Sequence, residues 1–293
     1  MIRNRERSGF IHGARIVNGA PDVSHLFFAD DCFLFFRANT EEARIIQSIL
    51  VIYGAACGQK VDFNKSLISF SENTRADSIA SVCNILEVKA TANHGMYLGL
   101  PSAVGGNKFK AFRFIKDRVW RKLERWNEWL LSRVGKEILL KTVAQALPNY
   151  TMNLFLLPLD LCRQIEVLLN SFWWGRKNNS NRGINWMCWD RLCRPKAANG
   201  LGFKKLQFFN LAMLGRQCWR RLTRPDSLVA RILKAKYHRN TNFSQASIGK
   251  NSSYSWCFIM AAHDLVVKGS RIRIGNETCT LIKNYPWLPD LSN

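Results

Sequence analysis

Residues 24–37 read SHLFFADDCFLFFR. Two short apolar runs, Phe27-Phe28 and Phe33-Leu34-Phe35-Phe36, flank the adjacent acids Asp30 and Asp31. Aromatic and branched residues around a two-residue polar break predict a β-hairpin. The break is unusual, because two-residue hairpin turns favour Asn-Gly or Asp-Gly and neighbouring carboxylates repel each other. A cation relieves that repulsion, and Mg²⁺ takes carboxylate oxygens while leaving positions for substrate phosphates. The stretch therefore points either to half of a two-metal phosphoryl-transfer site or to a solvated acidic turn.

The residues around the hairpin extend the pattern. Thr40 is placed to cap a helix, with Glu41 and Glu42 at its positive end. Ile45, Ile46, Ile49, Ile52 and Tyr53 then recur at helical spacing, and Gly58 is a natural stop. Residues 61–70 alternate as a strand, Thr74–Leu86 read as a second helix, and Met96–Leu100 form a short strand ending at Pro101. Residues 1–23 are polar, with a weak strand at Ile11–Val17. Hairpin, helix, strand, helix, strand is an α+β order.

Charge divides the chain. Residues 1–100 hold ten basic and ten acidic residues, whereas residues 101–293 hold 33 basic and 11 acidic and carry the whole net charge of +22. All ten tryptophans also follow residue 100. The double shift sets a boundary near Leu100-Pro101. A surplus of this size favours a polyanionic partner, nucleic acid first and an anionic membrane surface second. The nine cysteines form no CxxC pair and read as free thiols of a reducing compartment. The N-terminus has no signal-peptide pattern and no run is long enough to span a membrane.

Beyond residue 100 the periodicity turns helical. In residues 107–127, Phe112, Ile115, Val119, Leu123 and Trp126 make one apolar stripe. Lys110, Arg118, Arg121 and Arg125 lie opposite, with Phe114 among them. Such a face is either plain solvated surface or a nucleic-acid surface that contacts phosphates and stacks bases. Further helices are expected over 132–147, 159–174, 204–222, 227–237 and 253–267, and a short strand over 271–274.

These motifs, taken in order, resemble the reverse transcriptase of plant non-LTR (LINE-type) retrotransposons. Phe28-Ala29-Asp30-Asp31 looks like the palm's metal-binding hairpin, and Gly58-Gln59 with Asn64-Lys65-Ser66 like the segment after it. Tyr97-Leu98-Gly99-Leu100-Pro101 looks like the primer-grip hairpin. Leu131-Ser132, Gly135 and Pro148-Asn149-Tyr150 resemble the thumb. Phe172-Trp173-Trp174-Gly175, Trp186, Trp189, Pro195-Lys196 and Gly200-Leu201-Gly202-Phe203 resemble the helical region beyond it. The resemblance implies an RNA-directed DNA polymerase that uses two Mg²⁺ ions, an RNA template, a DNA primer and dNTPs, in the nucleus. It implies that Asp30 and Asp31 ligate metal, that Lys65 supplies charge near the leaving group, and that Tyr97, Leu98 and Gly99 position the primer. The family's other catalytic aspartate and its fingers have no counterpart in residues 1–23. The resemblance thus implies a partial palm over 1–100, a thumb-like segment over 101–157 and a basic, Trp-rich helical region over 158–293 that do not catalyse alone. A basic RNA/DNA-binding module without catalysis is the alternative.

Overall fold

The computed structural model describes residues 1–92, 95–102, 104–127, 130–175 and 184–271. The fold is α+β and mostly helical. It divides into two units. One holds the described residues of Met1–Ala103 and Leu228–Arg239, the other those of Val104–Ser227 and Asn240–Asn293.

The first unit opens with helix α1 (Ile2–Arg7) and then β1 (His25–Phe28) and β2 (Asp31–Leu34). It continues through α2 (Thr40–Cys57), β3 (Leu67–Ile68), α3 (Ala76–Leu86) and β4 (Lys89–Ala90) to β5 (Met96–Tyr97) and β6 (Leu100–Pro101). The strands form three separate pairs: β1 with β2 and β5 with β6 antiparallel, β3 with β4 parallel. Asn39, not Thr40, caps α2, and Gly58 ends it in the left-handed region at φ 68°. Ile46 and Ile49 of α2 bury themselves with Val82 and Leu86 of α3 and with Ile11.

The Glu42 carboxylate fastens the preceding loops to this core. Its Oε2 accepts the backbone N–H groups of His12 (3.1 Å) and Arg37 (3.0 Å), and its Oε1 lies 2.9 Å from the His12 ring Nδ1. Glu42 lies in the first turn of α2, as the sequence suggests, and is also buried, with the Asn39 side-chain amide donating to Oε1 at 3.5 Å.

Several expected elements differ. The strand over 61–70 is replaced by a turn at 62–66 and two strand residues, because Asp62 accepts the N–H groups of Asn64 and Lys65 and folds the chain back. The strand over Ile11–Val17 reduces to a single bridge between Ala14 and Val23. The expected strand over 271–274 lies outside the described residues apart from Arg271.

The second unit contains α4 (Lys108–Asn127), α5 (Arg133–Thr142), α6 (Asn149–Met152), α7 (Leu159–Trp174), α8 (Trp189–Leu192) and α9 (Leu206–Thr223). The chain then gives α10 (Leu228–Tyr237) to the first unit. It returns with α11 (Tyr254–Met260) and α12 (His263–Gly269), into which the single helix expected over 253–267 breaks.

The apolar stripe of α4, Phe112 to Trp126, is buried against Leu161, Ile165, Leu169 and Phe172 of α7 in one core, which draws on residues either side of 157. Ser132 caps α5 by accepting the Gly135 N–H, and Gly175 ends α7 at φ 76°. Asn210 of α9 is buried and fully used. Its carboxamide oxygen accepts the Leu157 N–H at 2.8 Å, and its Nδ2 donates to the carbonyls of Met152 and Phe155 at 2.9 Å each.

Candidate nucleic-acid and metal-binding surfaces

The hairpin forms in a defined register. His25 faces Leu34, Leu26 faces Phe33, Phe27 faces Cys32, and Phe28 faces Asp31. The turn is therefore Ala29-Asp30, and Asp31 is the first residue of β2. The two acids are not the turn pair that the apolar runs suggest; the turn is offset by one residue. Ala29 takes φ 49°, a left-handed value that costs an L-residue free energy and for which turns of this kind favour glycine. Both acids are exposed. Strand alternation puts Asp31 on one face with Leu26, Phe28 and Phe33, and Phe27 and Cys32 on the other. Burial first, and the neighbouring Asp31 carboxylate second, push the Cys32 thiol up.

The second hairpin meets the first. In the β5–β6 pair Met96 faces Pro101 and Tyr97 faces Leu100. Leu98 and Gly99 make the turn with φ 50° and 73°, the double positive pattern of the tight turns that suit twisted strands. The Tyr97 ring packs on Phe33, centroids 4.3 Å apart. Asp31, Phe33 and Tyr97 therefore share one side of the β1–β2 ribbon. Met96–Pro101 is thus a hairpin, the form that the resemblance implies, rather than the single short strand that local pattern suggests.

Lys65 sits elsewhere on its own turn. Its ammonium pairs with Asp62 at 3.3 Å and its side chain is 87% exposed. That pairing, with the Lys65 and Asn64 N–H groups, holds the Asp62 carboxyl below the usual range. Among the described residues Lys65 makes no ion pair with Asp30 or Asp31.

The chemistry of the donors bounds what the hairpin can hold. No group of three or more His, Cys, Asp or Glu side chains among the described residues could hold a metal ion. Two neighbouring carboxylates can serve one Mg²⁺ that keeps waters or phosphates as its other ligands. They do not make a resident two-ion centre.

On α4, Lys110, Arg118, Arg121 and Arg125 are exposed. Phe114 is half-buried against the core, with the Arg118 guanidinium 5.9 Å from its ring centre. Phe114 therefore anchors a cation more than it offers an open face. A second set of cations lies on α5. Arg133 lies 5.4 Å and 5.1 Å from the Trp173 and Trp174 rings, and Lys136 lies 5.5 Å from Phe172. Burial, and then Arg133, draw the Lys136 ammonium down from its ordinary value. The tryptophan run 173–174 next to a gap in acidic residues was the available signal.

No family model matches the chain. Over 146 residues it is 34% identical to the uncharacterized mitochondrial protein AtMg00310 of Arabidopsis thaliana, covering half of this chain and 94% of that protein. The chain belongs to that protein's family. A second relative from the same plant, named "Putative ribonuclease H protein At1g65750", is 31% identical over 127 residues, 43% of this chain. The chain spans only 20% of that protein's length. No helix among the described residues is long and apolar enough to cross a membrane.

Proposed function

We propose that this chain is a transposon-derived part of a LINE-type RNA-directed DNA polymerase, contributing a metal-binding hairpin and a basic helical surface for RNA template and DNA primer. One observation carries the reading: Asp30 within the two-residue turn and Asp31 directly after it are both exposed at the end of the hairpin, on the ribbon whose Phe33 contacts Tyr97. The kinship with a protein named as a ribonuclease H fits an origin in nucleic-acid metabolism.

In this reading Asp30 and Asp31 supply part of the acid set that the parent reaction needs for Mg²⁺. The rest comes from a segment or chain other than the described residues. Tyr97, Leu98 and Gly99 place the primer end, where the absence of a side chain at Gly99 lets a backbone approach closely. Lys110, Arg118, Arg121 and Arg125 contact phosphates, a contribution that weakens steeply with salt. Lys65, tied to Asp62, takes a part near the leaving group only by exchanging partners. Nuclear residence belongs to the same reading.

The test is a pair of measurements on the full chain. Wild type and the double variant Asp30→Asn with Asp31→Asn are titrated with a labelled RNA template–DNA primer, with and without Mg²⁺ and dNTP. A Mg²⁺-dependent gain in affinity that the double variant loses, with unchanged affinity in the absence of Mg²⁺, supports the reading. Identical behaviour of the two proteins with Mg²⁺ leaves the alternative, a basic RNA/DNA-binding module without catalysis.

A further inference from the structure

We infer that the outward face of α9 is a stacking surface for single-stranded nucleic acid, separate from the cationic face of α4. The inference rests on the nucleic-acid reading above and specifies a second contact and its substrate class.

Phe208, Ala212, Gly215 and Trp219 recur at steps of four, three and four residues. At 100° per residue they fall on one stripe. The stripe is not a core stripe at its ends: Phe208 is 62% exposed and Trp219 50%. Leu206, Asn210, Leu214 and Cys218 form the buried face of the same helix, and Gly215 within the stripe is buried as well, whereas Ala212 is exposed. The small residues between the two rings make a valley. Gly215 packs closely on α12, since a Cβ there would meet Val266 Cγ2 at 3.4 Å.

A surface hollow lies at each end of this stripe. The first, of about 420 Å³, has Phe208 as one wall and Arg194, Lys204 and Lys205 around it. The second, of about 370 Å³, lies between α9 and the end of α12 and is lined by Ala212, Gly215, Arg216 and Trp219 on one side and Val266, Gly269 and Ser270 on the other. Each hollow thus combines an aromatic ring exposed over half or more of its surface with cations; the Lys205 ammonium lies 5.6 Å from the Phe208 ring centre and leaves the opposite face of that ring for a base. Phe208 and Trp219 stand eleven residues apart, about 16 Å along the helix axis at 1.5 Å per residue.

The charge around the stripe selects the occupant. Helix α9 contains three arginines and no acid. Arg216 and Arg220 make no ion pair among the described residues. The one acid in the first hollow, Asp190, is held by Lys205 at 3.0 Å. An aromatic face is open to any unpaired base, while duplex bases are already stacked on one another. Two separate ring-plus-cation hollows suit bases and phosphates that alternate along a strand. A continuous apolar groove, which an amphipathic helix needs, would not be divided in this way.

The experiment uses the full chain and fluorescence anisotropy with a labelled single-stranded RNA and a duplex of the same length, at several salt concentrations. The double variant Phe208→Ala with Trp219→Ala should lose more than about tenfold in single-strand affinity, because each stacked base contributes through its ring. Its duplex affinity and its thermal melting should match wild type. The variant Phe208→Trp with Trp219→Phe should bind the single strand as wild type does. Unchanged single-strand binding in the alanine variant would overturn the inference, as would an equal loss for single strand and duplex. An acidic amphipathic peptide binding wild type but not the alanine variant, without competition from single-stranded RNA, would overturn it too. A third variant, with Arg118, Arg121 and Arg125 all changed to Gln, separates the two surfaces. Unchanged binding of both probes by that variant sinks the α4 reading while leaving α9 standing.

Discussion

Phe33 and Tyr97 lie ring against ring, 4.3 Å between centroids, and so join the hairpin that bears Asp30 and Asp31 to the turn at Leu98-Gly99. Aromatic pairs of this kind contribute about 0.5–1.5 kcal/mol beyond their buried area. Tyr97→Ala should lower the unfolding midpoint in urea and uncouple the two hairpins, whereas Tyr97→Phe should keep both. Hydrogen exchange at the Leu26 and Phe33 amides reads the uncoupling directly. Equal protection in wild type and Tyr97→Ala would show that the contact holds nothing in place.

Ala29 occupies a left-handed conformation at the first turn position, next to Asp30. Glycine adopts that geometry without the penalty from a Cβ. Ala29→Gly should therefore stabilise the hairpin by up to about 1 kcal/mol, the gain in native geometry being partly offset by a looser unfolded chain. Ala29→Val should destabilise it, since β-branching makes positive φ harder still. Thermal melts of the three proteins check the order Gly, Ala, Val. If valine melts with alanine, the strain at Ala29 is not expressed in stability.

Glu42 gives the first unit a pH dependence of defined sign. Burial on its own would raise the carboxyl, but the N–H groups of Arg37 and His12 and the His12 ring outweigh it and hold the group below its ordinary value. A depressed folded pKa means stability that is complete above the unfolded value, about 4.3, and lost as the pH falls through the folded one. Glu42→Gln should destabilise near neutral pH by about 1–3 kcal/mol, because its amide nitrogen faces donors in place of an acceptor. The variant should lack the wild-type loss of stability on acidification below about pH 4. Urea titrations at several pH values check both parts, and parallel curves for the two proteins would assign the acid sensitivity to other groups.

The helical half was legible where burial alone decides. The stripe from Phe112 to Trp126 is spaced as a helix and buried as one, and Gly58 and Gly175 end their helices where the chain must turn left-handed. The misreadings arose where polar groups bond locally. Asp62 bends what the apolar alternation presents as a strand. Helix α1, IRNRER, has no apolar period and buries none of its residues, so no pattern announces it. Ala29 carries no turn signal, so the apolar runs point to a register one residue away from that of the structure. The acids were visible as a pair. The contact between Phe33 and Tyr97 was not, because two short segments over sixty residues apart meet only through the fold.

Asn210 sets a condition on how this protein can vary. One amide side chain accepts a hydrogen bond from the Leu157 amide and donates two, to the carbonyls of Met152 at the end of α6 and of Phe155 in the loop, a polarity that neither aspartate, leucine nor histidine can reproduce. The loop between α6 and α7 is thereby locked to the same helix that displays Phe208 and Trp219. Lineages are free to redecorate the outside of that helix, but its rotation about its own axis is dictated from within.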